Sequence, residues 1–197
     1  MEPSHFRVVL ARPEDTDTVL EILDEAAEWI IGRKLPSVWK PGGFSREAFL
    51  EQISLGEVHI GLADEEPAGT ITLQWTDPIF WGEQQPDAGY VHKLAVRPAY
   101  AGQSIGLEML KWAEASARKA GKRFLRLNCL AEDSKIRDYY GHAGFLCKGN
   151  VAGPKAMATL YEKALYQSNV YVARSPLVKN HEDQANKCIC KRSNQGA

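Results

Sequence analysis

The sequence predicts an α+β fold: a mixed, mostly antiparallel sheet of about six to seven strands flanked by helices. Three observations predict it. Apolar or β-branched runs of strand length recur along the chain. Two of them, around Asp64-Glu65-Glu66-Pro67, are joined by a hairpin-type turn and so run antiparallel. Two others, Tyr90 to Val96 and Arg123 to Leu130, are separated by an amphipathic helical stretch, which makes that pair parallel and its crossover right-handed.

His5 to Ala11 reads as the first strand, and Pro13-Glu14-Asp15 opens a helix in which Val19, Leu20, Ile22, Leu23, Ala26, Ala27 and Ile30 recur at helical spacing. Gly32 and RKLPSVWKPGG break that helix, and Ser45 caps a second one carrying Phe49, Leu50 and Ile53. Glu57 to Ala63 and Ala68 to Trp75 form the hairpin. TDPIFWGEQQPDAG reads as an irregular loop before the strand from Tyr90. Pro98 and Gly102 lead into a helix from about Ile105 to Ala120, ended by Gly121. After the strand to Leu130, Asp133 or Ser134 caps a helix through His142, and strands follow around Phe145 to Val151 and Ala158 to Leu165.

A chain of 197 residues suits one core, since domains cluster near about 100 to 150 residues. Residues 1–165 form that domain, and the polar, aperiodic stretch 166–197 reads as a tail. Hydrophobic residues make up 44% and charged residues 25%, an ordinary globular balance. A formal net charge of -1 leaves no cationic surplus for nucleic-acid phosphates. The N-terminal apolar run is only Val8-Val9-Leu10, so neither a signal-peptide core nor a membrane span is expected, and a cytoplasmic location follows by default. The four cysteines, Cys129, Cys147, Cys188 and Cys190, fall in no zinc-type double pair; reduced thiols and no metal are expected.

The informative stretch is LAVRPAYAGQSIGLEMLKWA. A strand ends, a loop of small residues turns, and a helix begins with Ile105, Met109, Leu110 and Ala113 on one face. A helix start offers unpaired N–H groups and a positive dipole end, so a loop with Ala101, Gly102, Ser104 and Gly106 lets a pyrophosphate approach the backbone closely.

With that loop in place, Tyr90 to Phe145 resembles the acyl-CoA core of the GNAT superfamily, and the order of elements to Leu165 agrees with its fold. The family's loop pattern falls on Ala101, Gly102, Gln103, Ser104, Ile105 and Gly106, where Ala101 and Ser104 depart from it. The resemblance implies that the strand before the loop bulges and splays, freeing backbone at Leu94, Ala95 and Val96 for the pantetheine arm. It places, in AEDSKIRDYYGHAGF, a polar cofactor contact at Asp133 and a tyrosine at Tyr140 beside the departing thiolate, with Gly144-Phe145 closing the block. A phenol protonates an emerging thiolate because its pKa lies near about 10.

The implied activity is transfer of an acetyl group from acetyl-CoA to a primary amine of a small molecule. Non-catalytic acyl-CoA binding and acetylation of a peptide or protein amine are the rivals. The amine must lose a proton, and His92 and Tyr90, which share a face of one strand, are the candidate bases beside a water chain. The N–H of Leu94 is a candidate donor to the carbonyl oxygen. Trp39, Trp75 and Trp81, with Tyr90, are candidate walls of an amine pocket, or rings that pack the loops down. A monomer or homodimer is expected, with no nucleic-acid or membrane partner.

Overall fold

The computed structural model describes residues 5–165. The expected tail, with Cys188 and Cys190, lies outside the described residues. Seven strands form one sheet in the order β1-β2-β3-β4-β5-β7-β6. They are β1 Phe6–Leu10, β2 Val58–Ala63, β3 Glu66–Gln74, β4 Ala88–Val96, β5 Phe124–Leu130, β6 Leu146–Ala152 and β7 Met157–Ala164. Every neighbouring pair is antiparallel except β4 and β5, which are parallel as their helical crossover requires.

Helices α1 Thr16–Gly32, α2 Arg46–Ser54 and α3 Pro78–Trp81 lie on one side; α4 Ile105–Lys119 and α5 Ser134–His142 cover the other. The sheet-facing stripe of α1, with Val19, Ile22 and Leu23 fully buried, packs with Phe49 and Ile53 of α2 on Val58, Ile60 and Ala95. Burying each such aliphatic side chain contributes roughly 1.5–3 kcal/mol. Across the sheet, Ile105, Met109, Leu110 and Ala113 of α4 join Ile71, Val91, Leu125, Leu127 and Phe145. The spacing of these residues is what makes α4 helical and one-faced.

Two local expectations change. The hairpin between β2 and β3 turns on Asp64 and Glu65 alone, with Ala63 opposite Glu66. Both turn residues take positive φ, 49° and 70°, the geometry of a two-residue hairpin turn. The stretch after β3 is not wholly irregular: Asp77 Oδ1 accepts from the Phe80 N–H at 3.3 Å and Pro78 stands in the first turn, which together start α3. Among the described residues no helix is long and apolar enough to cross a membrane.

Candidate active site

β4 and β5 pair only from Ala88–Phe124 to Val91–Leu127. Beyond Val91 they part. On its other edge β4 carries a bulge: Thr72 is opposite His92 and Thr70 opposite Ala95, so two steps on β3 face three on β4. Lys93 takes the extra place with φ of 50°. The bulge changes the side-chain parity of the strand. Tyr90 and His92 face the α3 side, whereas Leu94 and Val96 pack with the α4 cluster.

The parted strands open a cavity of about 510 Å³. Its floor is Leu94, Ala95 and Val96; one end is Ala101, Gly102, Ser104, Ile105 and Gly106 at the start of α4. Tyr139 and Tyr140 of α5 line the α4 side, and Ala26, Trp29, Ile30 and Trp39 line the α1 side. Arg97, just after β4, pairs with Glu25 and, at 3.4 Å, with Glu21, which ties α1 to the cavity's rim.

The start of α4 is unlike the other ends. α2, α3 and α5 are capped by the side chains of Ser45, Asp77 and Asp133. The residue before α4, Ser104, has left-handed backbone with φ of 61° and makes no capping bond. Leu107 and Glu108 donate to the Ser104 carbonyl at 2.9 and 3.0 Å, which leaves the N–H groups of Ile105 and Gly106 for a ligand. Gly102, with φ of 80°, turns the loop into that position. A Cβ on Gly106 would come within 2.6 Å of the Tyr139 hydroxyl, so only glycine keeps that approach open.

Tyr140 is 7% exposed and packs against Tyr139, Phe145 and Tyr161. Burial raises its pKa well above the usual tyrosine value, so it stays a proton donor. Burial likewise pushes Tyr139 up to about 12. Asp133 does not line the cavity; its Oδ1 accepts from the N–H groups of Lys135 at 3.0 Å and Ile136 at 3.2 Å, fixing the start of the helix that carries both tyrosines. Gln103 sits outside the lining as well, its Nε2 donating to the Ala99 carbonyl at 3.4 Å.

Three of the expected pocket residues lie elsewhere. Trp75 is 42% exposed beneath the Lys122 ammonium, 5.3 Å from the ring, because β3 runs antiparallel to β4 and away from the cavity, from Gly69 opposite Val96 to Gln74 opposite Tyr90. Trp81 and Tyr90 belong to a network under α3: Arg126 Nη1 donates to the Tyr90 hydroxyl at 2.9 Å and its Nε to Glu162 at 2.8 Å, while the guanidinium lies 4.9 Å over Trp81. That hydroxyl is committed to Arg126. His92 does not line the cavity; its Nε2 is buried 3.6 Å from Asp77 Oδ2. Among the described residues neither atom has a hydrogen-bond partner, nor do the buried Asn128 Nδ2 and Trp81 Nε1. Burial, helped by the Lys93 charge, pushes His92 down to about 4, and burial raises Asp77. His92 is neutral at physiological pH and able to accept a proton.

Sequence reasoning missed Trp29 and Ile30 of α1 and Tyr139. The available signal was the continuation of α1's apolar stripe past Ala27, where the core ends and the cavity begins. Among the described residues no cluster of His, Cys, Asp and Glu is placed to hold a metal ion, and Cys129 and Cys147 are free thiols.

The family model described as Acetyltransferase (GNAT) family matches residues 19–145. The chain belongs to the GNAT acetyltransferase family. Within it, the uncharacterized N-acetyltransferase YesJ of Bacillus subtilis (strain 168) is 29% identical over 140 residues, spanning 67% of this chain and 77% of that protein. A GNAT acetyltransferase from Listeria monocytogenes superposes with a TM-score of 0.70 at 24% identity, covering 84% of this chain and 99% of the other. The PaiA N-acetyltransferase of Thermoplasma acidophilum, solved in complex with coenzyme A, superposes at 0.65 and 21% identity, covering 81% and 99%. YncA of Salmonella typhimurium, solved with acetyl-CoA, does so at 0.62 and 16%, covering 87% and 100%. These structures share the fold of the GNAT chain described here.

Proposed function

We propose that this GNAT enzyme moves the acetyl group of acetyl-CoA to a primary amine of a small molecule. The observation that carries the reading is one continuous cavity running from the uncapped start of α4, along the parted β4, to Tyr140. The coenzymes held by the two structural neighbours support the same cosubstrate.

Acetyl-CoA would supply an activated carbonyl on a thiol leaving group. The protein's part is then positional and acid–base. The loop from Gly102 to Gly106 and the first-turn N–H groups of α4 hold the pyrophosphate. Leu94, Ala95 and Val96 offer backbone that β5 no longer engages to the pantetheine amides. The Leu94 N–H would donate to the carbonyl oxygen as negative charge develops there. Nitrogen attacks the carbonyl carbon and the carbon–sulfur bond breaks. His92 takes the proton released by the amine, and Tyr140 gives its proton to the thiolate.

A peptide or protein terminus as acceptor would call for an open acidic trough. The α3 side instead presents Lys93 and Lys155, and Phe80 packs against Gly153 of the β6–β7 turn, which favours a small acceptor. Calorimetric titration of acetyl-CoA into the parent protein and into Gly102→Asp and Gly106→Asp tests the cofactor site. Binding in the parent that is lost in both variants supports the proposal. Unchanged binding in the variants removes the loop from it.

A further inference from the structure

The groove leaves one group of charges unexplained. Lys93, the extra residue of the β4 bulge, is half-buried, and the bulge delivers it to the α3 side rather than to the α4 core. Three elements converge there. α3 brings Asp77 against His92, β4 brings His92 and Lys93, and the β6–β7 turn brings Lys155. The turn is closed by the Gly153 N–H donating to the Ala156 carbonyl at 3.0 Å. Phe80 of α3 fills the space beside Gly153, where a Cβ would come within 2.8 Å of the ring, so turn and helix hold each other in place.

The contacts that run from Gly153 through Phe80 to Asp77 and His92 bring the exposed Lys155 to the same face as Lys93, whose ammonium feels its charge. Among the described residues neither makes an ion pair or hydrogen bond. Burial and the Lys155 charge both lower the proton affinity of Lys93, and only Asp77 opposes them. Two neighbouring ammonium groups, one of them half withdrawn from water, are unfavourable unless an anion meets them. On the same side of the sheet the buried Asn128 Nδ2, Trp81 Nε1 and His92 Nε2 are further polar atoms with no hydrogen-bond partner among the described residues.

We infer that the acceptor carries, besides its amine, an anionic group, carboxylate or phosphate, which Lys93 and Lys155 hold on the α3 side while the amine faces the cavity. The inference rests on the acetyl-transfer reading above. It makes Lys93 and Lys155 specificity-determining residues, with the bulge as the feature that places the first of them.

The test uses matched probes: 4-aminobutyrate against butylamine, and phosphoethanolamine against ethanolamine. Release of CoA thiol from acetyl-CoA gives kcat/KM for each probe, and calorimetry on protein saturated with CoA gives binding where turnover cannot occur. The expected result is a preference of about 10- to 100-fold for an anionic member, the scale of one or two charge-assisted contacts. The preference falls toward unity in Lys93→Met and Lys155→Met and survives in Lys93→Arg. The better of carboxylate and phosphate identifies the group. Protein that binds acetyl-CoA yet neither turns over nor binds the anionic members better overturns the inference and leaves the cofactor reading intact. Protein that fails to bind acetyl-CoA overturns both.

Discussion

Gly106→Ala separates the needs of the fold from those of the cofactor groove. The position lies in the first turn of α4, where alanine favours the helix by up to about 1 kcal/mol over glycine. Against this, the new Cβ would stand 2.6 Å from the Tyr139 hydroxyl. Overpacking of this kind costs about 1–3 kcal/mol. The clashing atom is the far end of a side chain, so the lower figure applies and the ring turns away within the cavity it lines. The two terms nearly cancel, and stability in a denaturant titration stays within about 1 kcal/mol of the parent. Acetyl-CoA affinity, measured by calorimetry, falls about 5- to 10-fold, because about 1–1.4 kcal/mol is needed to restore the cavity's shape. Adding Tyr139→Phe removes the clashing oxygen and recovers most of that affinity, a coupling of about 1 kcal/mol. Undiminished binding by Gly106→Ala, or a loss that Tyr139→Phe does not relieve, refutes the assigned contact.

His92 makes stability depend on pH. Its folded pKa of about 4 lies below the ordinary 6.5, so the unfolded chain binds the proton more tightly. Stability falls as pH drops from 6.5 toward 4 and is fully present above 6.5, with an upper bound of about 3 kcal/mol. His92→Gln flattens that limb in thermal melts between pH 4 and 7; a parent slope that survives the substitution rules His92 out as its source. The raised Asp77 adds a slope of opposite sign, favouring the fold while protonated, so Asp77→Asn steepens the parent's loss on acidification. Asp133→Ala removes the α5 cap and lowers stability by about 1 kcal/mol, whereas Asp133→Asn, which keeps an acceptor oxygen, stays near the parent in the same melts. Arg126→Ala leaves the Tyr90 hydroxyl without its donor and Glu162 with Lys148 alone, and destabilises by about 1.5–3 kcal/mol; Arg126→Met, which keeps the packing under Trp81, costs less.

What could be read from the sequence was whatever local chemistry determines. The spacing of Ile105, Met109, Leu110 and Ala113 marks α4, and the small residues before it mark the turn. Asp133 marks the start of α5. The arrangement of β4 and β5 as a parallel pair followed from the helix between them. What could not be read depends on partners distant in sequence. The left-handed Lys93 has no local signature, since glycine is the usual sign of such a position and a lysine hides it. That bulge divides His92 from Leu94 by face, although both lie on one short strand. Trp75 and Trp81 look equivalent as loop aromatics. Only the end of β3 and the capping of α3 by Asp77 send one to solvent beside Lys122 and the other onto Arg126. Trp29 extends the apolar stripe of α1 past Ala27, but nothing in its own helix shows that the sheet beneath has opened.

The most direct measurement of the central claim is amine-dependent release of CoA thiol from acetyl-CoA by the parent protein and by Tyr140→Phe, with acetyl-CoA affinity measured on both. The account predicts turnover in the parent and a loss of about 100-fold or more in kcat for the variant, the usual share of a general acid, with affinity within about threefold. Acetyl-CoA bound by the parent without turnover of any amine contradicts it and makes the chain an acyl-CoA-binding module on an acetyltransferase fold.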